Sequence, residues 1–417
     1  MSYIASALRV HYPRDKLHIL VPKSNSDSFT YDGIDLGGDR VIHEIEKYIE
    51  YLRQQGKSVR KLSVVGYSLG GLIARYVIGI LHSKGFFKHV EPINFTTFAA
   101  PHLGVRTPVT SFRSRLFNWL GSQTLSLSGR QLFIVDSFRD TGRPLLCILA
   151  DTDTVFMQAL RSFPHRILYA NIVNDRSAPY YTTSISFSDP FSSLDRVDLH
   201  YLAGYAPNIL DPDDPYDIFP EKDRSPFLSR LVTSCQSLLP QIPWFTWLAF
   251  IFTIGIPIFL CNAFIQSFRS SRRIRLYEEN QSGTEFSHKT FSMIHNARAA
   301  AGSAFKDVNV KQKPSLDLPG DTPECQADDS EINHGEDVTD ERNPLARHNT
   351  LLPLSSEQFA MIRNLDTIRF TKFRVHIHKA RHSHAAIIVR PRPAGEKAFG
   401  EGKIIVKHWL EREFKSP

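Results

Sequence analysis

The chain has 417 residues, of which 42% are hydrophobic and 22% charged, enough for one large core or two ordinary domains. That excludes a disulfide-stapled mini-protein, and the four cysteines (Cys147, Cys235, Cys261, Cys325) lie far apart with no CxxC pair or metal-type spacing. The net charge of +7 comes from scattered basic residues and not a concentrated stripe, which argues against nucleic acid as a partner. No metal or organic cofactor is implied. The opening MSYIASALRVHYPRDK has neither a long apolar run nor a small-residue cleavage site, so a cytosolic face is expected.

Residues 1–190 alternate between helix and strand patterns. SYIASALRV is short and amphipathic, and KLHILVP (Lys16–Pro22) is an apolar run of strand length. After Gly37-Gly38, DRVIHEIEKYIEYLRQQG repeats Val41, Ile45, Tyr48 and Leu52 at helical spacing until Gly56. KLSVV (Lys61–Val65) predicts a buried strand, LGGLIARYVIGILHSKG a helix, and NFTTFAA and RILYANIV two further strands. Near-continuous apolar strands separated by helices imply an α/β fold: a parallel sheet flanked by helices.

A different composition follows. Residues 191–230 read as a linker or cap, with Asp211-Pro-Asp-Asp-Pro215 as loop material. From Leu231 to Phe268 there is no Asp, Glu, Lys, Arg or His. The centre of that run, PWFTWLAFIFTIGIPIFLCNAFI, exceeds the ~18-residue threshold for a membrane segment. RSSRRIR then makes a basic collar, and residues 269–350 continue into an acidic, aromatic-poor stretch with the signature of disorder. Order is expected again over 351–417, where SEQFAMIRNL predicts a helix and FRVHIHKA a strand. The organisation is thus one α/β domain with a long membrane-binding and disordered insertion before its last catalytic element.

SVVGYSLGG places Gly66-Tyr67-Ser68-Leu69-Gly70, a G-x-S-x-G motif, between an apolar strand and a helix. Such a serine occupies a strained strand-to-helix turn. Glycines two residues to either side, Gly66 and Gly70, let backbones approach, and the N–H of Leu69 faces a developing oxyanion. A serine nucleophile needs a base and the base an orienting carboxylate, in chain order Ser, acid, His on this type of sheet. Asp175, just past RILYANIV, is the candidate acid, with Asp151, Asp153 and Asp189 as rivals that follow no strong strand. His384 in KARHSHAAIIVRP is the candidate base and His382 its alternate. His102 in AAPHLG precedes every candidate acid and reads as a wall of the site.

GYSLGGLIARY, FTTFAAPHLGVRTP, GRQLFIVDSFRDTGRPLL, YANIVNDRSAPYYTTSI and the His384 segment together resemble the putative serine esterase family of α/β-hydrolases, specifically its fungal lipid-droplet phospholipase branch. The resemblance covers roughly residues 1–190 and 350–417. It implies an α/β-hydrolase fold, hydrolysis of glycerophospholipid acyl esters and residence at a lipid-droplet or endoplasmic-reticulum surface, and it supports Ser68, Asp175 and His384. Members open with a strand and a His-Gly-φ-Trp-Gly loop that supplies the second oxyanion donor. No such segment precedes SYIASALRV. The implied sheet therefore lacks the strand between KLHILVP and KLSVV, and losing one oxyanion donor costs about 10²–10³ in turnover. Two readings follow: an active lipid esterase, or a catalytically impaired membrane-docked scaffold of the same fold. Acyl transfer is a weaker third.

Asp175 precedes the 231–268 run and His384 follows it, so a segment that crossed the membrane once would separate them. Pro243, Gly255 and Pro257 mark where the run is expected to break. Two arms of about a dozen residues at ~1.5 Å each reach about 18 Å, short of a ~30 Å hydrocarbon core. The run is therefore expected to dip into a phospholipid monolayer and return, or to lie flat, with basic residues at both ends; a single-pass helix kinked at Pro257 is the alternative.

Overall fold

The computed structural model describes residues 1–108, 118, 126–219, 265–276, 352–390 and 399–415. In chain order these form helix α1 (Ser2–His11), α2 (Ile34–Gln54), strand β1 (Lys61–Tyr67), α3 (Leu69–Ser83), β2 (Glu91–Phe98), α4 (Leu127–Leu132), α5 (Leu145–Leu149), α6 (Val155–Ser162), β3 (His165–Asn171) and α7 (Tyr180–Thr183). They continue with β4 (Val197–Leu199), β5 (Tyr216–Ile218), α8 (265–276), α9 (Ser356–Asp366), β6 (Thr371–Val375), α10 (Ser383–Ala386) and α11 (Gly400–His408). Among the described residues no helix is long and apolar enough to cross a membrane.

The apolar runs become a four-stranded sheet in the order β1–β2–β3–β6, parallel throughout. Side chains alternate along β3. Leu168 and Ala170 enter a core with α2, α3, α5, α6 and α9, whereas Ile167 and Tyr169 enter a second core with α1, α10 and α11. Helices thus cover both faces, as the continuous apolar strands require, and the architecture is that of an α/β-hydrolase. On the second face Phe98, Tyr169 and Phe373 stack across β2, β3 and β6, with ring centroids 4.8 and 5.1 Å apart. That ladder seats β6, which is far away in sequence, beside β3.

Three sequence expectations change. KLHILVP joins no strand. Leu17 and Ile19 pack only partly against the second core, and an apolar run becomes a strand only where a partner completes its backbone hydrogen bonds. Among the described residues nothing pairs with the outer edge of β1, and Leu62, Val64 and Val65 are half-buried instead of central. Helix α2 starts at Ile34, five residues before the predicted Asp39, so Gly37 and Gly38 lie inside it. Packing explains them: a Cβ on Gly38 would meet Tyr76 Cδ1 of α3 at 2.3 Å. Residues 191–219 are more than a linker, because β4 and β5 pair antiparallel and Ile209 bridges to Val375 of β6. The 231–268 run lies outside the described residues up to its last four, which begin α8, and the stretch with the composition of disorder (303–348) lies outside them entirely.

Candidate active site

β1 ends at Tyr67 and α3 begins at Leu69, which leaves Ser68 alone to reverse the chain. Its backbone sits at φ 53°, ψ −131°, a conformation that costs a non-glycine residue about 1–3 kcal/mol. Two backbone hydrogen bonds hold it there: Ser68 N–H donates to Phe98 O (3.0 Å) and Gly71 N–H donates to Ser68 O (2.9 Å). A Cβ on Gly66 would lie 2.5 Å from Gly71 Cα, and one on Gly71 would lie 2.4 Å from Ala100 Cβ. Gly70 faces open space. The crowded pair at this elbow is therefore Gly66 and Gly71, a correction to the expectation for Gly70. Leu69 heads α3, where the first N–H groups have no acceptor within their own helix.

Asp175 lies four residues past β3, beyond Asn174 at φ 60°. Oδ1 accepts from Ser177 N–H (3.0 Å) and Ala178 N–H (2.9 Å), and Oδ2 accepts from Asn171 Nδ2 (2.9 Å). His384 completes the set, with Nδ1 2.9 Å from Asp175 Oδ2 and Nε2 2.9 Å from Ser68 Oγ. The Asp175 side chain is 2% exposed and that of His384 14%, so the carboxylate is sealed while the imidazole still borders solvent. If Nδ1–H donates to the carboxylate, Nε2 is left with a lone pair directed at the serine hydroxyl. A relay of this kind can take a proton from Oγ and return it to a leaving group.

The ring that reaches Ser68 is that of His384, not His382, which occupies the residue before α10 without a side-chain cap bond. Tyr67 Oη donates to His384 O (2.9 Å), and its ring lies 5.1 Å from the imidazole. Ser383 Oγ donates to Val173 O (2.7 Å) and its N–H to Asn174 O (3.3 Å), which ties the histidine turn to the aspartate turn. Buried Glu401 of α11 accepts from Lys379 N–H (3.0 Å) and Asn208 Nδ2 (3.2 Å), and it lies 3.0 Å from His378 Nδ1. These supporting residues have no motif of their own. Tyr67 and Asn171 are legible only as neighbours of Ser68 and Asp175 in sequence.

The rivals have other roles. Asp151 pairs with Arg143 at 2.7 Å, Asp153 is exposed, and Asp189 caps Phe191 N–H, its carboxyl pushed up to about 6 by burial. His102 is fully buried with Nε2 3.0 Å from Thr97 Oγ1. Burial first, then the Arg75 and Lys372 charges, push its pKa well below the usual histidine value. It supports the elbow from the core and is no wall facing a substrate.

Comparison with known proteins bears on the family and the fold. Residues 1–188 match the family described as "Putative serine esterase (DUF676)". Among curated proteins the chain is 34% identical over 238 residues to "Putative lipase ROG1" of Saccharomyces cerevisiae, an alignment covering 55% of this chain and 32% of that protein. It is 34% identical over 141 residues to "Putative lipase C4A8.10" of Schizosaccharomyces pombe (33% of this chain, 17% of that protein). "Putative lipase YDL109C" of Saccharomyces cerevisiae is 36% identical over 143 residues (34% and 21%). The alignments thus span about a third or less of those relatives, and no solved structure matches. With its parallel sheet flanked by helices the chain has an α/β-hydrolase fold, and residues 1–188, which include the Ser68 elbow, are similar to that serine esterase family.

Proposed function

We propose that this protein hydrolyses acyl esters of glycerophospholipids at a lipid-droplet or endoplasmic-reticulum surface, from the cytosolic side, with Ser68 as nucleophile, His384 as base and Asp175 as its orienting partner. The observation that carries the reading is the Ser68–His384–Asp175 hydrogen-bond relay, in the required chain order. In the first half-reaction His384 Nε2 takes the Oγ proton as Oγ bonds to the acyl carbonyl carbon. The resulting oxyanion faces the N–H of Leu69, and Nε2–H then protonates the departing glycerol oxygen. Water repeats the sequence on the acyl-enzyme and frees the fatty acid. Asp175 keeps the imidazole in the tautomer with Nε2 unprotonated and stabilises the imidazolium.

The lipid surface enters through the 231–268 run. Before the run, Phe219 is held to the folded body, its N–H donating to Arg196 O. It is bound to that body again at α8, where Ser270 Oγ donates to Tyr31 O (3.2 Å). A run whose two flanks are both held by one body has both ends on one side of the membrane, which supports a dip into the lipid over a single crossing.

The test is fatty-acid release from phospholipid vesicles, with labelling by a fluorophosphonate probe. Wild type is expected to release fatty acid and to label, and Ser68→Ala to lose labelling and about 10⁴–10⁶-fold of turnover. A wild type that neither labels nor turns over would favour the scaffold reading.

A further inference from the structure

Helix α8 is docked in an inverted sense. Amphipathic helices on globular proteins normally bury their apolar face. Here the inward side is mostly polar, with buried Ser270 and half-buried Gln266 and Arg273 beside a single half-buried aliphatic, Ile274, while Ile265, Phe268, Arg269, Arg272 and Leu276 are exposed at spacings of three and four residues. Phe268 is 68% exposed. Beside it the 3-10 turn Asp27–Tyr31 presents Phe29 and Tyr31, both exposed as well.

The inward side is fastened by a two-arginine latch. Arg273 grips Asp32 as a fork, Nε to Oδ2 at 3.0 Å and Nη2 to Oδ1 at 2.6 Å, and Nη2 also donates to Ser28 O (3.1 Å). Arg40 of α2 reaches the same carboxylate at 2.5 Å, and both guanidinium groups lie over the Phe29 ring, at 4.9 and 5.1 Å. Asp32 is fully buried. Burial alone would raise its pKa, but the hydrogen bonds from Arg273, Ser270 and Arg40 outweigh that and hold it below the ordinary value. A buried pair of this geometry fixes position more than it adds stability.

We propose that the outward face of α8, with Phe29 and Tyr31 beside it, docks on anionic phospholipid head groups, and that the Asp32 latch locks this face to the catalytic body. Two features commit the surface to lipid and not to a second copy or an acidic protein. It is apolar and cationic together, the pairing that a membrane interface selects. It is also continuous with the uncharged run that ends at Phe268. The proposal rests on the lipid-surface reading above and assigns it a face and an orientation. The relay and the lipid would then keep a set relative orientation instead of swinging on a tether.

The test is flotation of the full chain with phosphatidylcholine vesicles, with and without phosphatidylserine. Each basic side chain near an anionic surface contributes about fivefold in partition, so Arg269→Ala/Arg272→Ala is expected to bind phosphatidylserine vesicles about 25-fold more weakly and phosphatidylcholine vesicles unchanged. Hydrogen exchange on vesicles reads the latch. Wild type should gain protection at α8 and at 27–36 together, and Arg273→Met should keep the first and lose the second. Equal binding of wild type to both vesicle types overturns the proposal while leaving the dip of the 231–268 run intact. So does a double variant that binds like wild type, and so does one whose only change is dimer-to-monomer in sedimentation, which would make the partner a second copy. Binding by wild type to phosphatidylserine vesicles alone, lost in the double variant, supports the docking face and overturns the dip.

Discussion

Ser68 and Asp175 reach the rim of the sheet by short steps off their own strands, one and four residues past β1 and β3. His384 arrives nine residues past β6 and is held by bonds from other parts of the chain: Tyr67 Oη on its carbonyl, Ser383 on Val173 and Asn174, Glu401 on the loop before it. The proposed nucleophile and acid are therefore set mainly by backbone geometry at their own turns, including φ values of 53° and 60° at Ser68 and Asn174, whereas the proposed base is set by tertiary contacts. Damage to the first kind of element should be all-or-none. Damage to the second should be graded.

The largest effects test the first half. Beyond Ser68→Ala, Asp175→Asn is expected to cost about 10⁴-fold in kcat, because an amide cannot keep Nδ1 protonated and Nε2 free; near-normal kcat would remove Asp175 from the relay. Next, Gly71→Ala drives a methyl to 2.4 Å from Ala100 Cβ, and overpacking of this kind costs about 1–3 kcal/mol, visible as a lower midpoint in urea. Gly70→Ala meets nothing within 4 Å and gains up to about 1 kcal/mol of helix propensity. Equal effects of the two substitutions would place the close approach elsewhere. Tertiary supports should respond more mildly. Tyr67→Phe removes one hydrogen bond to His384 O, worth about 1 kcal/mol, so kcat should fall about fivefold with KM little changed and the fold intact.

The smallest expected effect is in pH dependence, where the two halves carry opposite signs. Burial, opposed by the Arg139 charge, pushes Asp39 of α2 up to about 6. Between the ordinary carboxylate value and 6 the folded state holds this proton after the unfolded chain has released it, so stability falls as pH rises. Burial, then the Arg412 charge, pushes His408 of α11 down to about 4 from 6.5. In that window the unfolded chain binds the proton and the folded one does not, so stability rises with pH. Raising pH from about 4 to about 6 should loosen α2 and tighten α11 in hydrogen exchange corrected for intrinsic rates. A common direction in both helices would show that they open as one unit.

Much of the site was legible in the residues because strand-to-helix turns are local. Gly66-Tyr67-Ser68-Leu69-Gly70 reads as an elbow because only a narrow set of residues tolerates that turn, and Asp175 is found by counting past an apolar strand. His384 was reachable by chain order, with the family resemblance behind it, but no local rule separated it from His382 two residues earlier. Helix α9 was legible from SEQFAMIRNL, and the structure adds its capping box, Ser355 with Gln358.

What the sequence by itself determined is therefore the set of elements whose conformation their own residues dictate: four apolar strand runs that pair, the helices between them, the elbow and the candidate acid. Tertiary structure alone decided the rest. It decided that KLHILVP pairs with nothing although its composition suits a strand, since a ladder needs a neighbour that the run cannot supply. It decided that Gly71 and not Gly70 is crowded, since clearance belongs to the opposing chain. It also put Arg273 on Asp32, 241 positions apart, which no pattern along the chain encodes because the pairing depends on where two distant surfaces meet.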